Sequence, residues 1–278
     1  MWNRTVNALM LGAMLLLGAG IGRASVTACA TAPNGNTFAS YGASDPANGC
    51  SEIDKTFTSL TAVSGPVLAT DLQLWATGSP PVGNSISPVD VNFDTTGSTD
   101  TWQVEGVATQ NSSFSYVVDA NTGGSFPSPT TGIWAINGIE FAPTGTFAGG
   151  AAAGTETVTM TFCLGSATTA GCSAANTGTI TAKFSSSTPN YTCTVGAAGT
   201  CASPTGNAVN NFAFTEVAVL DSVSLSQTNP DVGQSFTLDN IGNHWEEFAT
   251  PEPSTFLLIG TALAGVGFLR RRKSKRSI

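Results

Sequence analysis

Charge is what this sequence has least of. Only 10% of its 278 residues are charged, against roughly 25% in an average globular chain. A coiled coil, a charge-laced helical bundle and a nucleic-acid binder are thereby excluded. Basic residues are scarcer still in the body of the chain. Six of the ten Lys and Arg lie in the last nine residues and two more in the first 23. Between Ser25 and Thr250 only Lys55 and Lys183 remain, beside 17 acids. That stretch carries 2 − 17 = −15 formal charges, hidden inside a net of −8. DNA, RNA and anionic membrane surfaces would repel it. Histidine is nearly absent. His244 stands alone in Asn243-His-Trp-Glu-Glu-Phe248, so any Ser–His–Asp or Cys–His device would have to use it. Its place beside a C-terminal linker suits a polar residue closing the last strand. Cys-x-x-Cys is also missing, which argues against zinc.

What is present begins with two terminal addresses. Arg4 precedes an apolar run from Thr5 to Gly22 that is shorter than a spanning helix. This is the pattern of a secretory signal peptide, with Gly22-Arg23-Ala24 placing cleavage after Ala24. Ala28-Cys29-Ala30 is a second cleavage candidate. Val26-Thr27-Ala28-Cys29 is a loose lipoprotein box, and Arg23 argues against it. At the other end Pro251-Glu252-Pro253 precedes an uncharged run, Ser254 to Leu269, and a cluster from Arg270 to Arg276. As a helix, residues 254–269 would be about 24 Å long, short of a ~30 Å hydrocarbon core unless the flanking arginines snorkel. The cations should hold that end in the cytoplasm and leave the acidic body on the far side.

These three parts in this order resemble the PEP-CTERM sorting signal of Gram-negative bacteria. The match rests on Pro251, Glu252, Pro253, the span and Arg270, Arg271 and Arg272. The resemblance implies an exosortase as partner, cleavage near the Pro-Glu-Pro, transient inner-membrane anchoring, and a final place at the cell surface or outside the cell. Extracellular polysaccharide is implied only as the setting. The expected organisation is a signal peptide at 1–24, a β-domain at 25–246 and a sorting signal at 247–278.

The body reads as all-β. Alternating runs such as Val89-Asp-Val-Asn-Phe-Asp94, Phe114–Val118, Ile133–Phe141, Thr157–Phe162, Phe212–Leu220 and Ser235–Leu238 are punctuated by Gly, Pro, Asn and Asp. Short strands at this spacing predict an antiparallel β-sandwich, jelly-roll-like, with one helix at each terminus. Phe57–Val63, Val67–Trp75 and Trp102–Val107 are further strand candidates. Thr144–Thr157, rich in Gly and Ala, is expected to be a long loop within one sandwich rather than a boundary between two.

The six cysteines, Cys29, Cys50, Cys163, Cys172, Cys193 and Cys201, imply disulfides in an exported chain. Local pairing is the expectation: Cys29–Cys50, Cys163–Cys172 and Cys193–Cys201. A crossed Cys172–Cys193 arrangement is the rival. The segment Ala47–Phe57 also resembles the start of PEP-CTERM cargo proteins, and that resemblance implies the Cys29–Cys50 closure.

No catalytic constellation stands out. Glu105 and Glu140 lie within apolar runs and are expected to be partly buried. Asp90, Asn92, Asp94 and Asp100 start like a calcium loop, but Thr95 and Thr101 occupy positions where that loop needs Gly and Glu. An acidic strand edge explains them. The leading reading is a non-enzymatic surface or matrix protein with no cofactor. One alternative is a carbohydrate-binding module, calcium-dependent or built on Trp75, Trp102 and Trp134 exposed in a row. The other is a polysaccharide hydrolase with two carboxyl groups in a cleft.

Overall fold

Threonine, valine and phenylalanine alternate through this chain, and the alternation becomes strands with one face in the core. A computed structural model describes residues 27–31, 36–44, 49–53, 55–78, 89–95, 102–120, 133–149, 155–197, 199–202, 207–228 and 234–250. The signal peptide at 1–24, the sorting signal from Pro251 onward and Asp100 lie outside these residues. In chain order the first elements are β1 (Asn36–Thr37), the helix α1 (Phe38–Ser44), β2 (Cys50–Glu52), β3 (Lys55–Ser64), β4 (Leu72–Gly78) and β5 (Val89–Thr95). Next come β6 (Gln103–Glu105), β7 (Ala108–Ala120), β8 (Ile133–Ala148), β9 (Thr155–Leu164) and β10 (Thr177–Phe184). The last described elements are β11 (Pro189–Val195), β12 (Gly199–Ala202), β13 (Asn207–Phe214), β14 (Glu216–Gln227) and β15 (Ser235–Thr250).

They form two antiparallel sheets. Sheet A has seven strands in the order β11–β10–β9–β14–β7–β3–β2. Sheet B has the order β1–β4–β5–β15–β8–β13–β12, with β6 also paired to β15, making eight. This is more than the eight strands of a jelly roll. The two inner faces share one hydrophobic core. Phe93 of sheet B meets Phe114 of sheet A with ring centroids 4.7 Å apart. Phe38 of α1 packs on both rings. The helix is short and locally capped: Thr37 Oγ1 accepts from the Ser40 amide at 3.1 Å, the usual device for an orphan helix donor.

The cysteines pair locally, as Cys29–Cys50, Cys163–Cys172 and Cys193–Cys201, with Cα separations of 4.8, 5.8 and 5.8 Å. Two of the bonds sit where a sandwich is weakest. Cys193 lies on β11, one edge of sheet A, and Cys201 on β12, the corresponding edge of sheet B. At the opposite side Cys50 lies on β2, the other edge of sheet A. Its partner Cys29 sits between Ala28, which bridges to Ser51, and Ala30, which bridges to Trp75 of β4. Both open sides of the sandwich are therefore stitched, which blunts edges that would otherwise recruit other strands.

Three expectations need correction. The segment Thr144–Thr157 is mostly strand, because β8 runs to Ala148 and β9 starts at Thr155. It carries the chain from sheet B to sheet A over one shared core, so it is no domain boundary. The run Val67–Trp75 becomes strand only at Leu72. Before that, Asp71 and Leu72 both donate backbone hydrogen bonds to the Leu68 carbonyl, which makes a turn. The run Phe212–Leu220 breaks at Thr215, and its halves join different sheets as β13 and β14.

Candidate functional site

The outer face of sheet B carries a polar groove of about 360 Å³. It forms because β15 is the middle strand and its outward phase is Asn240, Gly242, His244 and Glu246. Registers place Asp90 of β5 and Glu140 of β8 on either side of His244. Thr77 of β4 lies beyond Asp90. Next along the strands, Gly242 faces Asn92 and Ala142. The two small residues make the floor low, while Asn92, Asn240 and Thr144 wall the far side.

The groove's polar groups hold one another. His244 Nδ1 and Asp90 Oδ1 are 2.6 Å apart. His244 Nε2 lies 3.7 Å from Glu246 Oε1. Asn240 donates from Nδ2 to Asn92 Oδ1 at 3.0 Å. The groove offers carboxylates, amides, a hydroxyl pair from Thr77 and Thr144, and one imidazole. That set can donate to and accept from a polyhydroxylated or cationic ligand. His244 thus stands on the last described strand, at the centre of a sheet.

The acidic run on β5 also reads differently in the fold. β5 is flanked by β4 and β15, so Asp90, Asn92 and Asp94 project from an interior strand and form no sheet edge. Alternate residues of a strand stand about 6.8 Å apart, and Asp90 and Asn92 turn to separate partners, His244 and Asn240. Asp94 instead accepts from the Thr95 amide at 2.7 Å. Among the described residues no three His, Cys, Asp or Glu side chains gather as metal ligands.

Glu105 is exposed, because β6 turns only Val104 inward. Glu140 is half-buried in the groove wall. The carboxyl groups with raised pKa lie elsewhere. Burial pushes Asp221 up to about 8 and Glu156 up to about 7. Glu52 is raised for the same reason. None of the three lines the groove. The tryptophan row does not form either. Trp102 is in the core and donates from Nε1 to Ser112 Oγ at 2.9 Å, and Trp75 is buried. The Trp134 side chain lies outside the described set.

Sequence reasoning missed Thr77, Ala142, Thr144, Asn240 and Gly242. The signal was present in Asn240-Ile-Gly-Asn-His-Trp-Glu-Glu247, whose period of two resumes that of the Ser235–Leu238 run with its phase shifted by an irregularity after Leu238.

β15 ends at Thr250, directly before Pro251. A family model for the PEP-CTERM protein-sorting motif matches residues 249–273. The chain therefore carries the recognition signal of an exosortase at its C-terminus, which implies export, membrane transit and the cell surface. No curated protein matches the chain. Among the described residues no helix is long and apolar enough to cross a membrane; residues 254–269 lie outside them.

Proposed function

We propose that this chain is an exported, non-enzymatic surface or matrix protein, anchored briefly in the inner membrane and cleaved at its Pro-Glu-Pro by an exosortase. The observation that carries the reading is the PEP-CTERM match at residues 249–273. Its support from chemistry is the arrangement of carboxyl groups. Asp221 and Glu156, whose pKa values are raised, are buried and do not line the groove. Comparing hosts with and without an exosortase tests it. With the enzyme, epitope-tagged protein is shortened and leaves the inner membrane. Protein that stays full-length and membrane-bound in both hosts overturns the proposal.

The groove on sheet B favours a second reading for the body, namely recognition of a neutral polysaccharide. Amide and hydroxyl groups around a floor of Gly242 and Ala142 suit sugar hydroxyls, and the acidic surround disfavours anionic chains. Affinity electrophoresis of the purified protein through neutral and uronic-acid polysaccharides tests this. Retardation by the neutral gel that is lost in Gly242→Trp supports it, and equal mobility in every gel sinks it.

A further inference from the structure

We infer that the domain closes only once the chain has been exported as far as its sorting signal, and that the folded domain then fixes how close to itself the exosortase can cut. The inference rests on the exosortase reading above for its second half alone. Its first half rests on the place of β15.

Sheet B is two separate pieces without β15. The order β1–β4–β5–β15–β8–β13–β12 leaves β1–β4–β5 on one side and β8–β13–β12 on the other, with β15 as the ladder joining them. β6 belongs to the sheet only through β15. The same strand supplies the core wedge Phe236, Leu238, Ile241 and Trp245, all buried. It also supplies two polar links to sheet A. Asn243 donates to Asp221 Oδ2 at 3.0 Å, and Glu247 meets Lys55 Nζ at 3.3 Å. A chain lacking β15 exposes the apolar middle of both sheets and leaves Asp221 without Asn243. Buried polar groups deprived of partners oppose folding. Because β15 is the last described strand and runs into the sorting signal, export must bring the chain through to that signal before the sandwich closes. The domain thus closes on a chain already tethered by its tail.

The ladder leaves no spacer before the signal. Phe248 pairs with Ala135, Ala249 with Trp134 and Thr250 with Ile133. The matched motif starts at residue 249 and so overlaps β15 by two residues. A protease takes up its substrate as free backbone, and residues 246–250 are still held in the β8 ladder after the β5 ladder has ended at Trp245. The bond broken therefore lies beyond Thr250 and before the apolar run that begins at Phe256. With water as acceptor, the peptide C–N bond breaks, the carbonyl side leaves with the domain as a carboxylate, and the amine stays on the tail.

The test uses the full chain exported in a host lacking the exosortase. Membranes are digested with proteinase K and the surviving fragment is weighed intact. A fragment whose C-terminus lies at Phe248 or beyond is expected. A fragment ending before Phe248 overturns the inference. The variant Ile241→Asp, which charges the core side of β15, should remove the resistant fragment entirely. If a fragment covering residues 27–234 survives in that variant, the domain does not need β15 and the inference is wrong. With the exosortase added, the processed wild-type mass should place the new C-terminus between Thr250 and Thr255, and a cut inside β15 overturns the second half. If nothing is cut, the exosortase reading fails while the digestion result still decides the folding claim.

Discussion

Lys55 of β3 and Glu247 of β15 meet across the core at 3.3 Å, and both side chains are fully buried. They tie the last but one strand of sheet A to the middle of sheet B. A pair of this kind is costly to desolvate, so its presence adds little net stability, while breaking it strands a charge in the core. Lys55→Met should therefore destabilise the domain by about 3–5 kcal/mol. The double variant Lys55→Met, Glu247→Leu should recover most of that loss. Urea titration of the three proteins checks it; a double variant as weak as the single would show that the pair itself contributes.

Asp221 gives the domain a pH dependence opposite to that of a surface carboxylate. It is buried on β14 and its pKa is pushed up to about 8, chiefly by desolvation. The folded state therefore holds a proton that the unfolded state releases near pH 4. Stability contributed by that proton is complete below pH 4 and is lost as pH rises towards 8. The slope is about 1.4 kcal/mol per pH unit for one such group. Glu156, raised to about 7, acts in the same direction over a narrower range. Asp221→Asn should flatten the wild-type slope between pH 4 and 8 by about one group's worth. Parallel denaturation series at pH 4.5, 6 and 8 measure it, and equal slopes would show that Asp221 is ionised in the fold.

Sheet class was legible because strands such as β5, β7 and β9 alternate large apolar and small polar residues. β10 escaped notice for a physical reason. Its buried phase is Gly178, Ile180, Ala182 and Phe184, and two of those four are too small to look apolar. β11 is an edge strand whose inward phase, Tyr191, Cys193 and Val195, is only half-buried, so its period of two is carried by few large apolar residues. The second half of β15 was hidden by its own charges. Glu247 looks like a solvated residue until Lys55 is brought against it from near the other end of the domain, and long-range pairing of that kind leaves no local trace. The groove inherits the same blindness, since it is made by register between four strands, β4, β5, β8 and β15, spread along the sequence.

Gly178 is small because Phe162 occupies the space beside it. A Cβ added there would lie 2.1 Å from the Phe162 ring. Their positions are paired across β10 and β9, so the ring lies over the glycine instead of beside a side chain. Gly178→Ala should displace that ring from its packing and cost about 1–3 kcal/mol, the usual range for overpacking. Adding Phe162→Leu should make the alanine far less harmful. If Gly178→Ala alone melts at the wild-type temperature, the ring is not confined as argued.

The Cys193–Cys201 bond is a latch between sheets more than a staple of its own loop. Its two cysteines are only eight residues apart, and closing so short a loop restrains the unfolded chain by about 2–3 kcal/mol. The larger consequence is positional. The bond joins β11 to β12, the edge strands of sheets A and B on one side of the sandwich. Without it the exposed β11, uncharged along Pro189–Val195, is a free edge able to pair with another copy. Cys193→Ser with Cys201→Ser should therefore do two things. The midpoint in urea should fall in line with 2–3 kcal/mol, and the protein should begin to associate at concentrations where the wild type stays monodisperse. Substituting Thr192→Lys into that double variant places a charge on the edge and should abolish association without restoring the midpoint. Light scattering beside urea titration separates the two effects. Association that persists with Lys at residue 192 would place the sticky surface elsewhere on the molecule.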